Sequence, residues 1–250
     1  MKFDDLYRLH QKKGRDALGH FLVEGEHPVL ELQKAATRNP ALRKSELYVT
    51  SDHEKWRSPF ATHLISKPRM AQLAQTKTPQ GIVAVVPILA PPPPRADERS
   101  IYLYEVQDPG NLGTILRTLA WFGGFRCLLS PGSVDPYNSK VVRASAGAIF
   151  HVPLELDVPM QSLRERFNRI ACLDMTGESL RSDDFPAHDC FLFGNEARGL
   201  PRDSLTSLGA RPFAIPGSGG VESLNLASAL ALSVYELSLR GTGAERAGTR

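Results

Sequence analysis

The feature that most constrains this chain is the alternation of strand-like and helix-like segments over residues 99–240. Six stretches are short and largely apolar, as buried strands are: "SIYLYEVQ", "FRCLLS", "VPLEL", "RIACLDM", "DCFLFGNE" and "RPFAIP". Four stretches that lie between or after them have helical periodicity: "GNLGTILRTLAWFG", "YNSKVVRASAGAIF", "PMQSLRERFN" and "LNLASALALSVYELSLR". Because strands that alternate with helices pair in parallel, the pattern predicts an α/β fold whose mostly parallel sheet is covered on both faces.

Four consecutive prolines at 91–94 mark a boundary, because such a run favours a stiff, extended polyproline segment. We therefore divide the chain into a domain at 1–90, a Pro-rich linker at 91–98, a domain at 99–243 and a tail at 244–250 that we expect to be disordered. The first domain alternates strand-like and helix-like segments from "FLVEGEHPVLELQKAA" to "GIVAVVPIL", which predicts a small α/β sandwich.

The composition is that of an ordinary globular protein, with 42% hydrophobic and 23% charged residues. The longest apolar run, "GIVAVVPILA", is too short to span a bilayer, and the charged N-terminal sequence predicts neither a secretion nor a transit signal. Three cysteines (Cys127, Cys172 and Cys190) lie far apart and form no CxxC pair. This pattern predicts buried thiols in a reducing cytoplasm rather than a disulfide framework or a zinc ribbon.

The charge is distributed unevenly along the chain. Residues 1–95 contain 15 Lys and Arg against 9 Asp and Glu, a net charge of +6, whereas residues 96–250 contain 15 against 18, a net charge of −3. A basic N-terminal third favours an anionic partner, although a solvated basic face is an equally common explanation of such a pattern.

Three glycine-rich segments follow predicted strands: "VQDPGNLGTILR" (106–117), "LFGNEARGLP" (192–201) and "IPGSGGVESLN" (215–225). In parallel sheets, ligands bind at the carboxyl ends of strands, so we expect these segments to form a site. No phosphate-cradling loop, dinucleotide fingerprint, nucleophile elbow or metal-ligand spacing of histidines is present. Main chain plus a few Asn, Glu, Arg and Ser side chains suits a small neutral or cationic ligand, or a single anion such as phosphate.

In this order, the three segments resemble the three motifs of the SpoU (TrmH-type) RNA 2′-O-ribose methyltransferases, which belong to the SPOUT class. The matching positions are Asn111, Gly113 and Arg117 in the first segment, Gly194, Asn195, Glu196 and Gly199 in the second, and Ile215, Pro216, Ser223, Leu224 and Asn225 in the third. The likeness spans about residues 100–240, and "FLVEGEHPVLELQKA" resembles the start of the RNA substrate-binding domain that often precedes this catalytic domain. One departure is Gly217, which stands where Met is common, so that "GSGG" forms an unusually flexible loop.

The resemblance implies a C-terminal trefoil knot, a homodimer formed through the knot region and S-adenosylmethionine as cofactor, while the spacing of the histidines predicts no metal. The expected cofactor-binding residues are Leu192, Gly194, Ile215, Pro216, Ser223 and Leu224, and the expected catalytic residues are Arg117, Asn111, Glu196, Ser223 and Asn225. The knotted C-terminal helix would be buried, which would explain why "LASALALSVYEL" is apolar nearly all round.

The implied reaction transfers a methyl group to an RNA ribose 2′-hydroxyl, with ribosomal RNA the expected substrate. Because a guanidinium stays protonated, we expect Arg117 to grip a phosphate of the RNA, while that phosphate or Glu196 accepts the proton. Glu196 has an alternative structural role, pairing with Arg198 or capping a helix, and Asn225 an alternative role as a helix N-cap. The expected RNA-binding residues are Arg8, Lys12, Lys13, Arg15 and Arg117, with a solvated helix face as the alternative for the first four.

Three other functions remain open at this point. A non-catalytic RNA-binding or assembly factor could keep the same fold, a transfer RNA could be the substrate of the ribose methylation, and a related knotted enzyme could methylate a base.

Overall fold

The computed structural model describes residues 3–218, 220 and 222–240, so the tail predicted at 244–250 lies outside the described residues. The chain divides into two compact units. Unit 1 comprises Met1–Ala90 and Asp135–His151, and unit 2 comprises Pro91–Val134 and Val152–Arg250.

The helices and strands of the two units follow one another closely along the chain. In chain order they are α1 (Phe3–Leu6), α2 (Lys12–Leu18), β1 (His20–Glu24), α3 (Glu26–Arg38), β2 (Glu46–Val49), β3 (Ala61–Leu64), α4 (Lys67–Leu73), β4 (Ile82–Pro87), β5 (Arg99–Leu103), α5 (Pro109–Phe122), β6 (Phe125–Leu129), α6 (Ser139–Ser145), β7 (Leu154–Glu155), α7 (Leu163–Arg166), β8 (Ile170–Ser179), β9 (Cys190–Phe193), α8 (Arg202–Leu208), β10 (Arg211–Ala214) and α9 (Leu226–Arg240). Short 3₁₀ turns, among them Tyr7–His10, connect several of these elements.

Unit 1 contains a four-stranded sheet in the order β1-β4-β2-β3. Strand β4 runs antiparallel to both of its neighbours, and β2 and β3 are parallel. The apolar run at 82–86 is buried throughout because helices cover both faces of β4, the central strand that it forms. One layer of the core combines the sheet with α1, α4 and the 3₁₀ turn, through Leu6, Leu9, Leu22, Tyr48, Met70, Leu73, Val83 and Val85.

The segment 135–151, which the sequence analysis placed inside the second domain, packs within unit 1. Helix α6 lies against β1, and the ring of Phe21 contacts those of Tyr137 (4.8 Å between centroids) and Phe150 (6.5 Å). The helix predicted over 137–150 ends at Ser145, because Ala146 and Gly147 both have positive φ. Strand and helix periodicity locates such a segment along the chain but carries no information on which core it will cover.

Unit 2 is built on a six-stranded sheet in the order β10-β8-β9-β5-β6-β7. All five strand pairings are parallel, which confirms the α/β class predicted from the alternating pattern. Strand β9 is entirely apolar and buried, and β5 is buried from Ser100 to Leu103, as strands covered on both faces are. Their side chains join a core cluster that includes Tyr102, Leu128, Leu163, Cys172, Cys190 and Leu192.

Two details of unit 2 depart from the sequence prediction. Helix α8 was not predicted, because it is seven residues long and buries only Leu205 and Leu208. Strand β8 extends beyond the predicted "RIACLDM" to Ser179, and its pairing with β10 shifts register between Pro212 and Phe213. This irregularity lies at the carboxyl end of β8, the end of the sheet at which a ligand site is expected.

The Pro-rich linker is anchored to unit 2 by a buried arginine. Arg126, on β6, is 1% exposed and donates to the carbonyl oxygen of Pro92 at 2.7 Å. The same guanidinium pairs with Glu98 at 2.8 Å and with Glu155 at 3.1 Å, and Glu155 also pairs with Arg166. Since a buried guanidinium needs compensating charge and hydrogen bonds, this cluster holds the proline run against the sheet.

The three cysteines are free and buried, as predicted. Burial raises the pKa of the Cys127 thiol to about 12. In the described part of the chain, no helix combines the length and the apolar character needed to cross a membrane.

Candidate functional site

The first glycine-rich segment forms the turn from β5 into α5. Asp108 is the N-cap of α5, and its carboxylate accepts a hydrogen bond from the backbone N–H of Asn111 at 2.7 Å. Pro109 occupies the first turn, where its missing N–H costs nothing. Arg117 lies further along α5 with its side chain exposed, and it forms no ion pair with any residue that the structure describes.

Glu196, in the second segment, connects to the first through three hydrogen bonds. Its carboxylate accepts from the backbone N–H of Gln107 (3.3 Å), from that of Asp108 (3.4 Å) and from Asn111 Nδ2 (3.1 Å). These donors surround the start of α5, where the helix macrodipole also favours a negative charge. Of the two structural alternatives for Glu196, the structure therefore has the one in which Glu196 caps the start of a helix. The other, a pair with Arg198, is not formed, because Arg198 pairs with Glu105.

Asn225 joins the third segment to the other two. Its side-chain oxygen accepts from the backbone N–H groups of Ala227 (2.9 Å) and Ser228 (3.3 Å), which makes it the N-cap of α9. Its Nδ2 donates to Asn111 Oδ1 at 2.9 Å. The chain Glu196–Asn111–Asn225 thus brings all three segments together at the carboxyl end of the sheet.

The loop of the second segment is held by a buried asparagine that was absent from the expected site residues. Asn195 donates from Nδ2 to the carbonyl oxygen of Glu105 at 2.7 Å, and its Oδ1 accepts from the N–H groups of Ala197 and Arg198. Its backbone pairs twice with Gly199. The sequence signal for Asn195 was its position in the "GNE" of the second segment, which matches the family motif. The motif does not indicate which groups Asn195 binds.

Gly194 allows this loop to close on itself. A Cβ atom at Gly194 would lie 2.4 Å from the carbonyl carbon of Gly199 and 2.7 Å from the nitrogen of Leu200, both backbone atoms. No larger residue fits without a backbone shift.

The expected cofactor-binding residues occupy different environments. Leu192 lies in the central strand β9, and its side chain is in the core. Its main chain is paired with the strands on either side, β5 and β8. Ile215 is half-buried just after β10, while Pro216, Ser223 and Leu224 are exposed. The backbone groups of Ile215 and Leu224 form no hydrogen bonds with other backbone groups among the described residues. Free main-chain donors and acceptors next to apolar side chains fit the edge and face of an adenine ring.

One carboxylate at the same end of the sheet is stabilised in its charged form. Burial works against the charge of Asp174, but hydrogen bonds from Thr176 and the nearby Arg202 guanidinium (2.9 Å) keep the pKa of this carboxyl below its usual value. Among the described residues, no group of three or more His, Cys, Asp or Glu side chains could hold a metal ion.

The expected RNA-binding residues of unit 1 do not share one environment. Arg8, Lys12 and Lys13 are exposed, with Arg8 paired to Asp5 (3.2 Å) and Lys12 to Asp16 (3.3 Å). Arg15 departs from the expectation, because it is only 5% exposed.

The Arg15 guanidinium donates to Asp135 and to the carbonyl oxygen of Leu9. A buried, neutralised guanidinium cannot reach a phosphate, so we assign Arg15 to the packing of segment 135–151 in unit 1.

Unit 2 is therefore a parallel α/β domain with a polar, glycine-rich site at the carboxyl ends of its strands. The sequence profile described as the SpoU rRNA Methylase family matches residues 98–235, and that of the MRM3-like substrate binding domain matches residues 3–84. The chain belongs to the SpoU rRNA methylase family, which confirms the family expected from the three motifs.

Relatives with known names cover nearly the whole chain. An uncharacterised tRNA/rRNA methyltransferase of Synechocystis is 35% identical over 92% of this chain and 88% of its own length. The 23S rRNA (guanosine(2553)-2′-O)-methyltransferase RlmP of Bacillus subtilis is 32% identical over 94% of this chain and 95% of its own.

Solved structures have the same fold. A putative RNA methyltransferase of the TrmH family from Porphyromonas gingivalis has a TM-score of 0.79 at 29% identity, over 95% of this chain and 97% of its own. An rRNA methyltransferase from Sinorhizobium meliloti with bound AdoMet has a TM-score of 0.79 at 25% identity, over 97% and 95%.

Proposed function

We propose that this protein transfers a methyl group from S-adenosylmethionine to a ribose 2′-hydroxyl of RNA, and that the RNA is ribosomal. The observation that carries the proposal is the Glu196–Asn111–Asn225 chain, which holds the three family segments together on the helix that presents Arg117. The 2′-O specificity and the ribosomal substrate are further supported by RlmP, whose similarity extends over 94% of this chain.

The main chain of Gly194, Ile215 and Leu224 would hold the cofactor, with Pro216 and Ser223 beside it, whereas the main chain of Leu192 is paired with the strands on either side of β9. When bound, S-adenosylmethionine supplies an electrophilic methyl group on a sulfonium centre. The residues of the chain have two further tasks, which are to position the RNA hydroxyl and to favour loss of its proton.

Arg117 is suited to the first task. Its exposed, unpaired guanidinium can form two parallel hydrogen bonds to a phosphate, which fixes the adjacent ribose and its 2′-hydroxyl in position. It cannot accept the proton, because a guanidinium is always protonated in proteins.

Glu196 acts as a positioning residue in this proposal. Its carboxylate oxygens already accept three hydrogen bonds within the site, which leaves less capacity to accept a proton from the substrate. We therefore assign proton acceptance to the RNA phosphate that Arg117 binds.

Ribose-methylation mapping of total RNA from cells with and without the gene tests the substrate. We expect one or a few ribosomal sites to lose methylation, and complementation with Arg117→Ala to leave them unmethylated. A site lost from transfer RNA would make transfer RNA the substrate. Full biological activity of Arg117→Ala would support the non-catalytic RNA-binding factor instead, and a methylated base in the product would refute ribose chemistry.

We also propose that two copies associate through α5 and α9. Helix α9 buries Leu230, Val234 and Leu237 against the rest of its own unit. Its other side leaves Leu232 and Tyr235 45% and 50% exposed, and Trp121 on α5 is 84% exposed. Exposed apolar side chains on two packed helices are typical of a protein interface.

Sedimentation of the wild type and of Trp121→Ser tests this association. We expect a dimer for the wild type and a weakened dimer for the variant, whereas a monomeric wild type would contradict the proposal. The trefoil knot implied by the family stays part of the proposal.

Unit 1 supplies the RNA-binding surface in this proposal, through Arg8, Lys12 and Lys13. Phosphate contacts release counterions from RNA, so binding should weaken steeply as salt rises, and each lysine removed should reduce that slope. The buried free thiols support a reducing compartment, the cytoplasm.

A further inference from the structure

We propose that a cleft in unit 1, between the N-terminal turns and α4, binds an unpaired nucleobase of the RNA substrate. The cleft has a volume of about 530 Å³ and is lined by Phe3, Tyr7, His10, Arg69 and Gln72. The cleft is widely open to solvent, which suits a base that stacks on a surface rather than one enclosed in a pocket. The inference deepens the proposed function and rests on it for the identity of the RNA.

The lining contains a cluster of flat groups, of which the rings of Phe3, Tyr7 and His10 are half-buried and the guanidinium of Arg69 is exposed. The rings of Phe3 and Tyr7 meet edge to face at 5.5 Å, and those of Tyr7 and His10 at 6.4 Å. The guanidinium of Arg69 lies 5.1 Å from the centre of the Phe3 ring. Unpaired RNA bases stack on aromatic rings and on arginine planes, whereas the faces of paired bases are covered by their neighbours in the duplex.

The lining also offers polar groups that can reach the edge of a base. Tyr7 donates its hydroxyl hydrogen to Gln72 Oε1 at 2.9 Å, which leaves the Gln72 amide hydrogens as donors. His10 Nε2 contacts the carbonyl oxygen of Leu73 at 2.8 Å, and since a carbonyl cannot donate, this nitrogen carries the hydrogen. The Tyr7 hydroxyl oxygen can still accept a hydrogen bond, so the cleft contains both kinds of partner that a base edge needs.

The surrounding charge favours a nucleic acid over an apolar peptide. Arg69 lines the cleft and the exposed Lys13 lies on α2, whereas Arg8, in the same turn as Tyr7, is paired with Asp5 and Lys12 with Asp16. Residues 1–95 as a whole carry a net charge of +6. Phosphate contacts beside a stacking platform are the usual arrangement in proteins that bind single-stranded nucleic acid.

Fluorescence anisotropy with the full chain tests the proposal, using a short labelled single-stranded oligouridylate and a duplex of equal length as probes. Tyr7→Ala should weaken single-strand binding about 5- to 150-fold, the range expected when a base-stacking aromatic is removed, with little effect on the duplex. Tyr7→Phe should bind nearly as the wild type does, because it keeps the ring. Arg69→Lys should weaken binding although the charge is kept, because the plane is lost.

The matched control for charge is Arg38→Ala, which removes an exposed arginine of unit 1 outside the cleft. Equal single-strand binding by Tyr7→Ala and the wild type would overturn the proposal, as would an equal loss for both probes. Should Tyr7→Ala not fold, photo-crosslinking of 4-thiouridine RNA to the wild type decides, and absence of adducts from the peptides that line the cleft overturns the proposal.

The outcome is separable from that of the proposed function, which methyl transfer and S-adenosylmethionine binding report. If the protein transfers no methyl group but distinguishes the two probes through Tyr7, the proposed base-binding cleft stands and the proposed methyltransferase activity is refuted. If the protein methylates RNA while Tyr7→Ala binds the single-stranded probe as the wild type does, the proposed activity stands and the proposed base-binding cleft is refuted.

Discussion

Replacement of Gly194 by alanine should open the loop of the second segment. The new Cβ would lie 2.4 Å from the Gly199 carbonyl carbon, and real Cβ contacts stay above 3.0 Å, so the backbone must move by at least 0.6 Å. The shift strains the paired backbone hydrogen bonds between Asn195 and Gly199, at 3.1 and 2.8 Å. Overpacking of this kind costs about 1–3 kcal/mol.

Two assays follow from this magnitude. Thermal unfolding should show the midpoint of Gly194→Ala lowered by about 2–12 °C, from about 2–4 °C for each kcal/mol in a chain of this size. Titration calorimetry should also show a reduced affinity for S-adenosylmethionine, because the displaced loop contains an expected cofactor-binding residue. The matched control is Gly217→Ala, because a Cβ there meets nothing within 4 Å. Wild-type stability and affinity in Gly194→Ala would refute the reasoning.

Three further predictions concern burial and charge in unit 2. Arg126→Ala should lower the free energy of unfolding by about 3–5 kcal/mol in urea titrations, because it leaves the 5% exposed Glu98 carboxylate without its partner; unchanged stability would contradict the cluster. A thiol reagent at pH 8 should not label the native protein but should label it in denaturant, since burial raises the pKa of Cys127 to about 12 and that of Cys172 to about 11. Asp174→Asn should destabilise the protein more at pH 7 than at pH 3, because a carboxyl with a lowered folded-state pKa contributes its full stabilisation above its unfolded pKa of about 3.9 and loses it progressively as the pH falls towards the folded-state pKa. An equal effect of Asp174→Asn on the melting temperature at both pH values would count against it.

The sequence predicted the secondary structure of unit 2 well because its sheet is buried on both faces. Strands β5, β6 and β9 are short and buried along most of their length, with apolar side chains at most positions and polar turns on either side. Helix α8 was missed for the converse reason, since two buried leucines in seven residues do not establish a period.

Long-range packing could not be derived in the same way. The segment 135–151 has a clear helical pattern, yet the pattern does not tell which sheet the helix covers. Arg15 shows the consequence, because it was grouped with exposed neighbours of the same charge. Its burial depends on Asp135, a partner 120 positions away along the chain.

At the candidate site, the family resemblance identified the residues, and the structure distinguishes their roles. Resemblance selected Asn111, Arg117, Glu196, Ser223 and Asn225 as one set, but their hydrogen bonds separate them into two groups. Asn111, Glu196 and Asn225 bind one another or the first turns of α5 and α9, so most of their hydrogen-bonding capacity serves the framework. Arg117 and Ser223 are exposed, and neither forms a side-chain hydrogen bond within the described part of the chain.

This division follows from the physical demands on such a site. Three loops that meet at the end of a sheet need reciprocal polar contacts to hold one geometry, and groups that satisfy each other have little capacity left for a substrate. A group that grips a phosphate must instead be charged, accessible and unpaired until the RNA arrives. Among the five residues only Arg117 meets these conditions, so loss of a framework residue should disturb cofactor and RNA binding together, whereas loss of Arg117 should affect the RNA alone.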